Sequence, residues 1–166
     1  MKKFLIIIAF GLLSSGINGQ EGLKLGLQAG LPFNDFNDAV SVVLGIETGY
    51  MFAINEYFDL GISASYIIGI PETFQAGPIQ IDYPTMQFLP LAASLRIWPS
   101  NSFSFGGEVG QAFGLNEGND GGFYYRPMIG YLLGPMTEIN LSYTGINQDI
   151  ANWNTVTLGV LHTFSF

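Results

Sequence analysis

Over residues 154–166 the side chains alternate, with Val156, Leu158, Val160, Phe164 and Phe166 on one face and Thr155, Thr157, Gly159, Thr163 and Ser165 on the other. A period of two is the signature of a β-strand with one apolar and one polar face. The same period predicts seven earlier strands. In Gly22 to Leu31, Leu23, Leu25, Leu27, Ala29 and Leu31 oppose Lys24, Gly26, Gln28 and Gly30. In Val42 to Ile54, Leu44, Ile46, Tyr50, Phe52 and Ile54 oppose Gly45, Glu47 and Gly49. Phe58 to Ile70 sets Leu60, Ile62, Ala64, Tyr66 and Ile68 against Asp59, Gly61, Ser63 and Ser65. Further strands are expected at about Thr85 to Trp98, Phe103 to Leu115, Phe123 to Leu133 and Thr137 to Gly145, with Arg96, Glu108, Arg126 and Glu138 on their polar faces.

The connections alternate in length. Short turns such as Asn55-Glu56-Tyr57, Pro99-Ser100-Asn101-Ser102 and Gly134-Pro135-Met136 follow the second, fourth and sixth strands; longer segments occupy about 32–41, 71–84, 116–122 and 146–153. The first twenty residues place Lys2 and Lys3 before an apolar run from Phe4 to Leu13 and a small or polar stretch ending at Gly19. That order is a secretory signal, with cleavage expected near Gly19, so that residues 1–19 are the signal and 20–166 the single mature domain. The run is too short to span a bilayer as a helix.

Composition then decides which face is wet. The chain is 48% hydrophobic and 14% aromatic with 22 glycines, too apolar for a soluble surface, yet no later stretch is long enough for a membrane helix. A closed antiparallel sheet pairs every backbone group while showing lipid only alternate side chains. The expectation is an all-β, eight-stranded, antiparallel up-and-down transmembrane barrel, with short turns and both termini in the periplasm and long loops outside. With no cysteine, no disulfide supports it.

Two segments carry a family resemblance: Gln87-Phe88-Leu89-Pro90-Leu91-Ala92-Ala93-Ser94-Leu95-Arg96-Ile97-Trp98, with Pro90 inside a strand, and the glycine-rich Phe105-Gly106-Gly107-Glu108-Val109-Gly110. In these the chain resembles the small outer-membrane β-barrels (porin-like, OmpA-like transmembrane) of Gram-negative bacteria. The resemblance implies a fold and a membrane; it brings no catalytic residues. Pro90 removes one ladder donor, so a bulge or bend is expected there.

The polar phase gathers Lys24, Arg96 and Arg126 with Glu47, Asp59, Glu108 and Glu138. Eight strands leave an interior just wide enough for side chains, so these charges are expected to pair and plug the lumen. A narrow ion path lined by the same groups is the functional alternative. Four acids face three bases, so either one acid is protonated or Asp59 lies at the solvated rim. The many glycines on the polar face fit a crowded interior.

Without Lys2 and Lys3 the chain holds three basic residues against thirteen acidic ones, and the long loops contain acids and no Lys or Arg. Nucleic acid is excluded as a partner. Asp35, Asp38, Glu117 and Asp120, within Asn34-Asp35-Phe36-Asn37-Asp38 and Asn116-Glu117-Gly118-Asn119-Asp120, form a cation-attracting rim, although neither segment has the spacing of a calcium loop and no metal or other cofactor is expected. Aromatic residues at both strand ends, Trp98 among them, predict two interfacial girdles. The single histidine, His162, falls on the lipid-facing phase near a turn, and no nucleophile elbow, P-loop or HExxH motif is present, so no enzyme is expected.

The expected role is therefore that of a monomeric structural or surface-interaction protein in contact with outer-membrane lipid and an extracellular ligand or envelope protein. The competing roles are a small cation-preferring pore, a hydrophobic-ligand conduit, and a soluble lipocalin-like barrel with the aromatic face turned inward.

Overall fold

The computed structural model describes residues 20–36, 38–76, 79–82, 85–148 and 152–164. The signal read at 1–19, and with it Asn37, Asp149, Ser165 and Phe166, lies outside the described residues. The strands are β1 (Gly22–Phe33), β2 (Val40–Asn55), β3 (Phe58–Pro71), β4 (Thr73–Ala76), β5 (Ile79–Asp82), β6 (Met86–Ile97), β7 (Phe103–Gly114), β8 (Gly122–Leu132), β9 (Thr137–Asn147) and β10 (Asn152–Phe164). Eight of them close into a barrel in the order β1-β10-β9-β8-β7-β6-β3-β2, every neighbouring pair antiparallel. Pairing of β1 with β10, from Leu23↔Phe164 to Phe33↔Asn154, seals the sheet and leaves no open edge.

Each barrel strand is 11 to 16 residues long, enough to cross a bilayer at the usual tilt, for which about 9–11 suffice. The alternation holds along the wall. Leu27 (68% exposed), Ile62 (67%), Leu158 and Phe105 face outward, while Lys24, Glu47, Arg96, Arg126 and Glu138 are buried inside. Among the described residues no helix is long and apolar enough to cross a membrane.

One end of the barrel carries the short turns, and the first and last described residues lie there too. Asn55 holds the first turn by accepting the Tyr57 and Phe58 amides on its side-chain oxygen at 2.8 and 3.0 Å. Ser100 Oγ accepts the Phe103 amide at 3.1 Å in the next. Gly134, at φ 79°, occupies the left-handed region in the third. At the loop end, β4 and β5 form a hairpin inside the segment expected to be a loop, paired from Thr73↔Asp82 to Ala76↔Ile79.

Pro90 does not produce the expected bulge. Its register with β7 is continuous at Ala112, and the ladder to β3 skips only from Ala64↔Leu91 to Ile67↔Phe88 without slipping. Pro127 repeats the device, paired with Gly107 on one side and interrupting the β9 ladder between Tyr125↔Gly145 and Met128↔Ser142. Each proline thus removes its missing donor from one neighbour and keeps the strand in phase.

Candidate functional site in the barrel lumen

Residues pointing inward form two zones. At the loop end Val40, Val43, Ile67, Phe88, Ala112, Tyr124, Ile146 and Trp153 make a buried apolar cluster drawn from seven of the eight barrel strands. Trp153 lies at its centre, its ring centroid 5.1 Å from those of both Phe88 and Phe36. Gly69 makes room for it: a Cβ there would stand 2.4 Å from the indole. Burying aromatic rings in such contact removes about 150–250 Å² of each from water, so this layer is an apolar stopper, with Trp153 Nε1 buried in it without a hydrogen bond.

Below it, toward the turns, the lumen is ionic. Arg126 is clamped between two carboxylates, hydrogen-bonded to Glu47 and 3.5 Å from Glu108. Its Nε donates to Ser142 Oγ at 3.0 Å, and the chain continues through Thr157 to Gln28, crossing β8, β9, β10 and β1. Tyr124 joins the zones, its ring in the stopper and its hydroxyl donating to Glu108 at 2.8 Å. Nearer the turns the pairing loosens: Arg96 Nε is 3.8 Å from Glu138 Oε1, and Ser104 Oγ donates to the other Glu138 oxygen at 3.1 Å. Gly106 and Gly130 clear space for these two side chains, since Cβ atoms there would meet Arg96 Cδ at 2.6 Å and Glu138 Cδ at 2.5 Å.

The seven charged residues named from the alternation all point into one lumen, and all are buried. Of the two alternatives for the fourth acid, a solvated Asp59 is not the one found: the residue is 0% exposed. Although Arg96 sits opposite it in the ladder, Asp59 Oδ2 accepts instead from the Gln20 backbone nitrogen at 3.0 Å and from Trp98 Nε1 at 2.6 Å. Trp98 is therefore a lumen residue and not part of a girdle. Other rings lie on the outer face at both ends, with Phe103 packed edge-on to Phe105 and Tyr131, and Tyr125 between Phe123 and Tyr143.

The stopper escaped the period-two reading, which set Phe88 and Met128 on the inner phase but gathered no apolar layer there. Its signal was present at the loop-side ends, where both phases are apolar, as in Val42-Val43-Leu44, Tyr66-Ile67-Ile68 and Phe123-Tyr124-Tyr125.

The loop acids are not gathered. Among the described residues no three metal-ligating side chains come together. Asp35 accepts the Asn152 amide at 2.9 Å and so ties the start of β10 to the first loop. Asn116 accepts the Gln87 amide at 2.8 Å, and Asn119 accepts from Gly121 and Gln148 while donating to the Gln87 carbonyl. These bonds tie the loop to β6, and Glu117 and Asp120 are exposed on the same turn. Every Lys and Arg beyond residue 3 lies in the lumen, so the described outer surface has acidic groups and none of these cations.

An apolar outside, a filled polar inside and a closed ladder define a transmembrane β-barrel of the eight-stranded up-and-down class. Comparison with solved structures agrees on that fold. The chain is similar to Ail, the attachment invasion locus protein of Yersinia pestis, at 15% identity and a TM-score of 0.60, covering 89% of this chain and 100% of that one. A second structure of Ail, in complex with the heparin analogue sucrose octasulfate, gives 17% and 0.63 over the same shares. A de novo designed transmembrane β-barrel gives 11% and 0.54, again covering 89% of this chain and 100% of the design. No protein-family model matches the sequence, and no curated protein matches it.

Proposed function

We propose that this protein is a non-conducting integral barrel of the outer membrane that acts through its loop end, presenting an acidic surface outside the cell while the turns face the periplasm. The observation that carries this reading is the partition of charge: all the cations after the signal region are spent inside the barrel, and the loops keep only acids. Such a surface favours cationic partners, whether a basic face of an extracellular or envelope protein or screening divalent ions, and disfavours polyanions. The loop end of this barrel is thus unsuited to a sulfated ligand of the kind held by Ail.

A cation-preferring pore is supported by one observation. Arg96 Nε, Glu138 Oε1, Glu108 Oε1 and Asp59 Oδ1 are buried without hydrogen bonds, and such atoms invite water. The apolar stopper lies across that path, which is why a closed lumen is preferred. The same stopper leads directly into the ionic layer, which argues against a hydrophobic conduit. The inverted, soluble barrel does not fit a wall whose charges are inside and whose outer face carries Leu27, Ile62, Leu158 and Phe105 exposed. Along that wall a concavity of about 590 Å³, lined by Leu25, Leu27, Ile46, Tyr66, Leu89 and Val160 among others, offers a bed for acyl chains. His162, exposed on the wall and hydrogen-bonded with Thr137 Oγ1 at 2.9 Å, belongs to the turn-end belt, and we assign no catalysis to it.

An epitope inserted at Gly118, a loop tip with open space around it, tests the placement. Antibody should label intact cells at this site and leave an epitope at Glu56 unlabelled. Labelling of Glu56 alone would invert the orientation, and recovery of the protein in the soluble fraction would overturn the membrane assignment.

A further inference from the structure

The buried charges of the lumen do not balance within the chain as it is translated: Glu47, Asp59, Glu108 and Glu138 face Lys24, Arg96 and Arg126. Arg126 holds Glu47 and Glu108, and Arg96 holds Glu138. Asp59 is left with two neutral donors, and its Oδ1 has no hydrogen bond at all. An uncompensated carboxylate so deep is costly.

The residue that touches it is Gln20, 7% exposed and fixed at four points. Its backbone nitrogen meets Asp59 Oδ2 at 3.0 Å, and its side-chain nitrogen donates to the Pro135 carbonyl at 2.6 Å. Its side-chain oxygen accepts from Lys24 Nζ and Thr163 Oγ1, both at 3.1 Å. This is a built receptor for one residue, assembled from β1, β3, β10 and the turn after β8.

We propose that the turn end of the lumen is a binding site for the chain's own processed terminus: cleavage between Gly19 and Gln20 makes the Gln20 nitrogen an α-ammonium that becomes the counter-ion of Asp59. The inference rests on the export signal read in residues 1–19 and is independent of what the loops bind. A signal peptidase would add water across the Gly19–Gln20 amide, the hydroxyl going to the Gly19 carbonyl and the hydrogen to the Gln20 nitrogen, which takes a further proton from solvent. One neutral donor becomes a cation, and the lumen reaches four acids against four cations. An ammonium also has spare donors for Asp59 Oδ1, which an amide lacks. Lys24, the third cation, is spent on Gln20 and Thr163, so without cleavage Asp59 has only neutral donors.

The site also protects its occupant. A free N-terminal glutamine cyclises when its amine attacks the side-chain Cδ and ammonia leaves, forming pyroglutamate. Here the amine is held by Asp59 and the side-chain amide by Pro135, Lys24 and Thr163, so the two cannot approach.

Intact-mass and N-terminal peptide analysis of the mature protein, kept folded in detergent or unfolded in urea at the same pH, tests this directly. The mature chain should begin at Gln20 with an open side chain, and ammonia loss should be about tenfold or more slower folded than unfolded, since only local opening exposes the amine. Asp59→Asn, which keeps the shape and removes the charge, should restore most of the unfolded rate. If that variant does not fold, an amine-selective reagent on the folded wild type gives the same reading, with the terminus protected and released by urea. A mature chain beginning elsewhere, equal cyclisation rates in the two states, or a terminus freely labelled while folded would each overturn the proposal.

Discussion

At the loop end the lumen is filled by Val43, Ile67, Phe88, Tyr124, Ile146 and Trp153; a few residues further along the same strands it is filled by Glu47, Glu108, Arg126, Arg96 and Glu138. The apolar zone excludes water by shape and its errors are local: a missing ring leaves a cavity. The ionic zone depends on balance, and removing one charge strands its partners in a site from which water is largely excluded. The comparison teaches that one strand phase can carry both solutions in series, and that the polar solution is the more fragile.

The largest effect is therefore expected in the ionic zone. Arg126→Met leaves Glu47 and Glu108 facing each other without a cation and should cost about 3–5 kcal/mol, read as the urea midpoint of the detergent-folded barrel. Adding Glu47→Gln and Glu108→Gln should recover most of that loss; a triple variant no better than the single one would show that packing of the Arg126 side chain, and not charge, holds the layer.

In the stopper, Trp153→Ala should cost about 3 kcal/mol by cavity formation. Gly69→Leu, which drives a side chain into the same indole, should cost about 1–3 kcal/mol by overpacking. Neither cost should respond to the Glu47 and Glu108 changes. Strong coupling between the zones in a double-variant cycle would mean that Tyr124 makes them one unit.

The smallest effect belongs to the loops. Neutralising Glu117 and Asp120 together should leave the unfolding midpoint unchanged, each change within about 0.5 kcal/mol, while binding of a polylysine probe to the folded protein falls. A lost midpoint would make these acids structural.

Much of this was legible in the sequence because a barrel wall obeys one period. The eight strands were placed with ends within two residues of those observed, and Lys24, Glu47, Asp59, Arg96, Glu108, Arg126 and Glu138 fell together in the lumen, since phase alone decides the side of the sheet. Phase does not report depth. It could not place Asp59 behind Trp98 and Gln20, because that burial comes from residues remote in sequence. Nor could it reveal the stopper, where Trp153 packs against Phe36 and Phe88 from distant parts of the chain. The β4–β5 hairpin was hidden for a different reason: four-residue strands that pair only with each other show too short an alternation to stand out between Pro71 and Pro84. The tie from Asn116 and Asn119 to the backbone of Gln87 in β6 was equally hidden, because it joins residues about thirty apart in sequence.

The most direct test of the closed lumen is the conductance of the purified, detergent-folded protein in a planar bilayer. The account predicts no steady openings from the wild type at either polarity. Steady cation-selective openings that shift with Glu108→Gln would contradict it, turning the buried carboxylates from a plug into the lining of a pore.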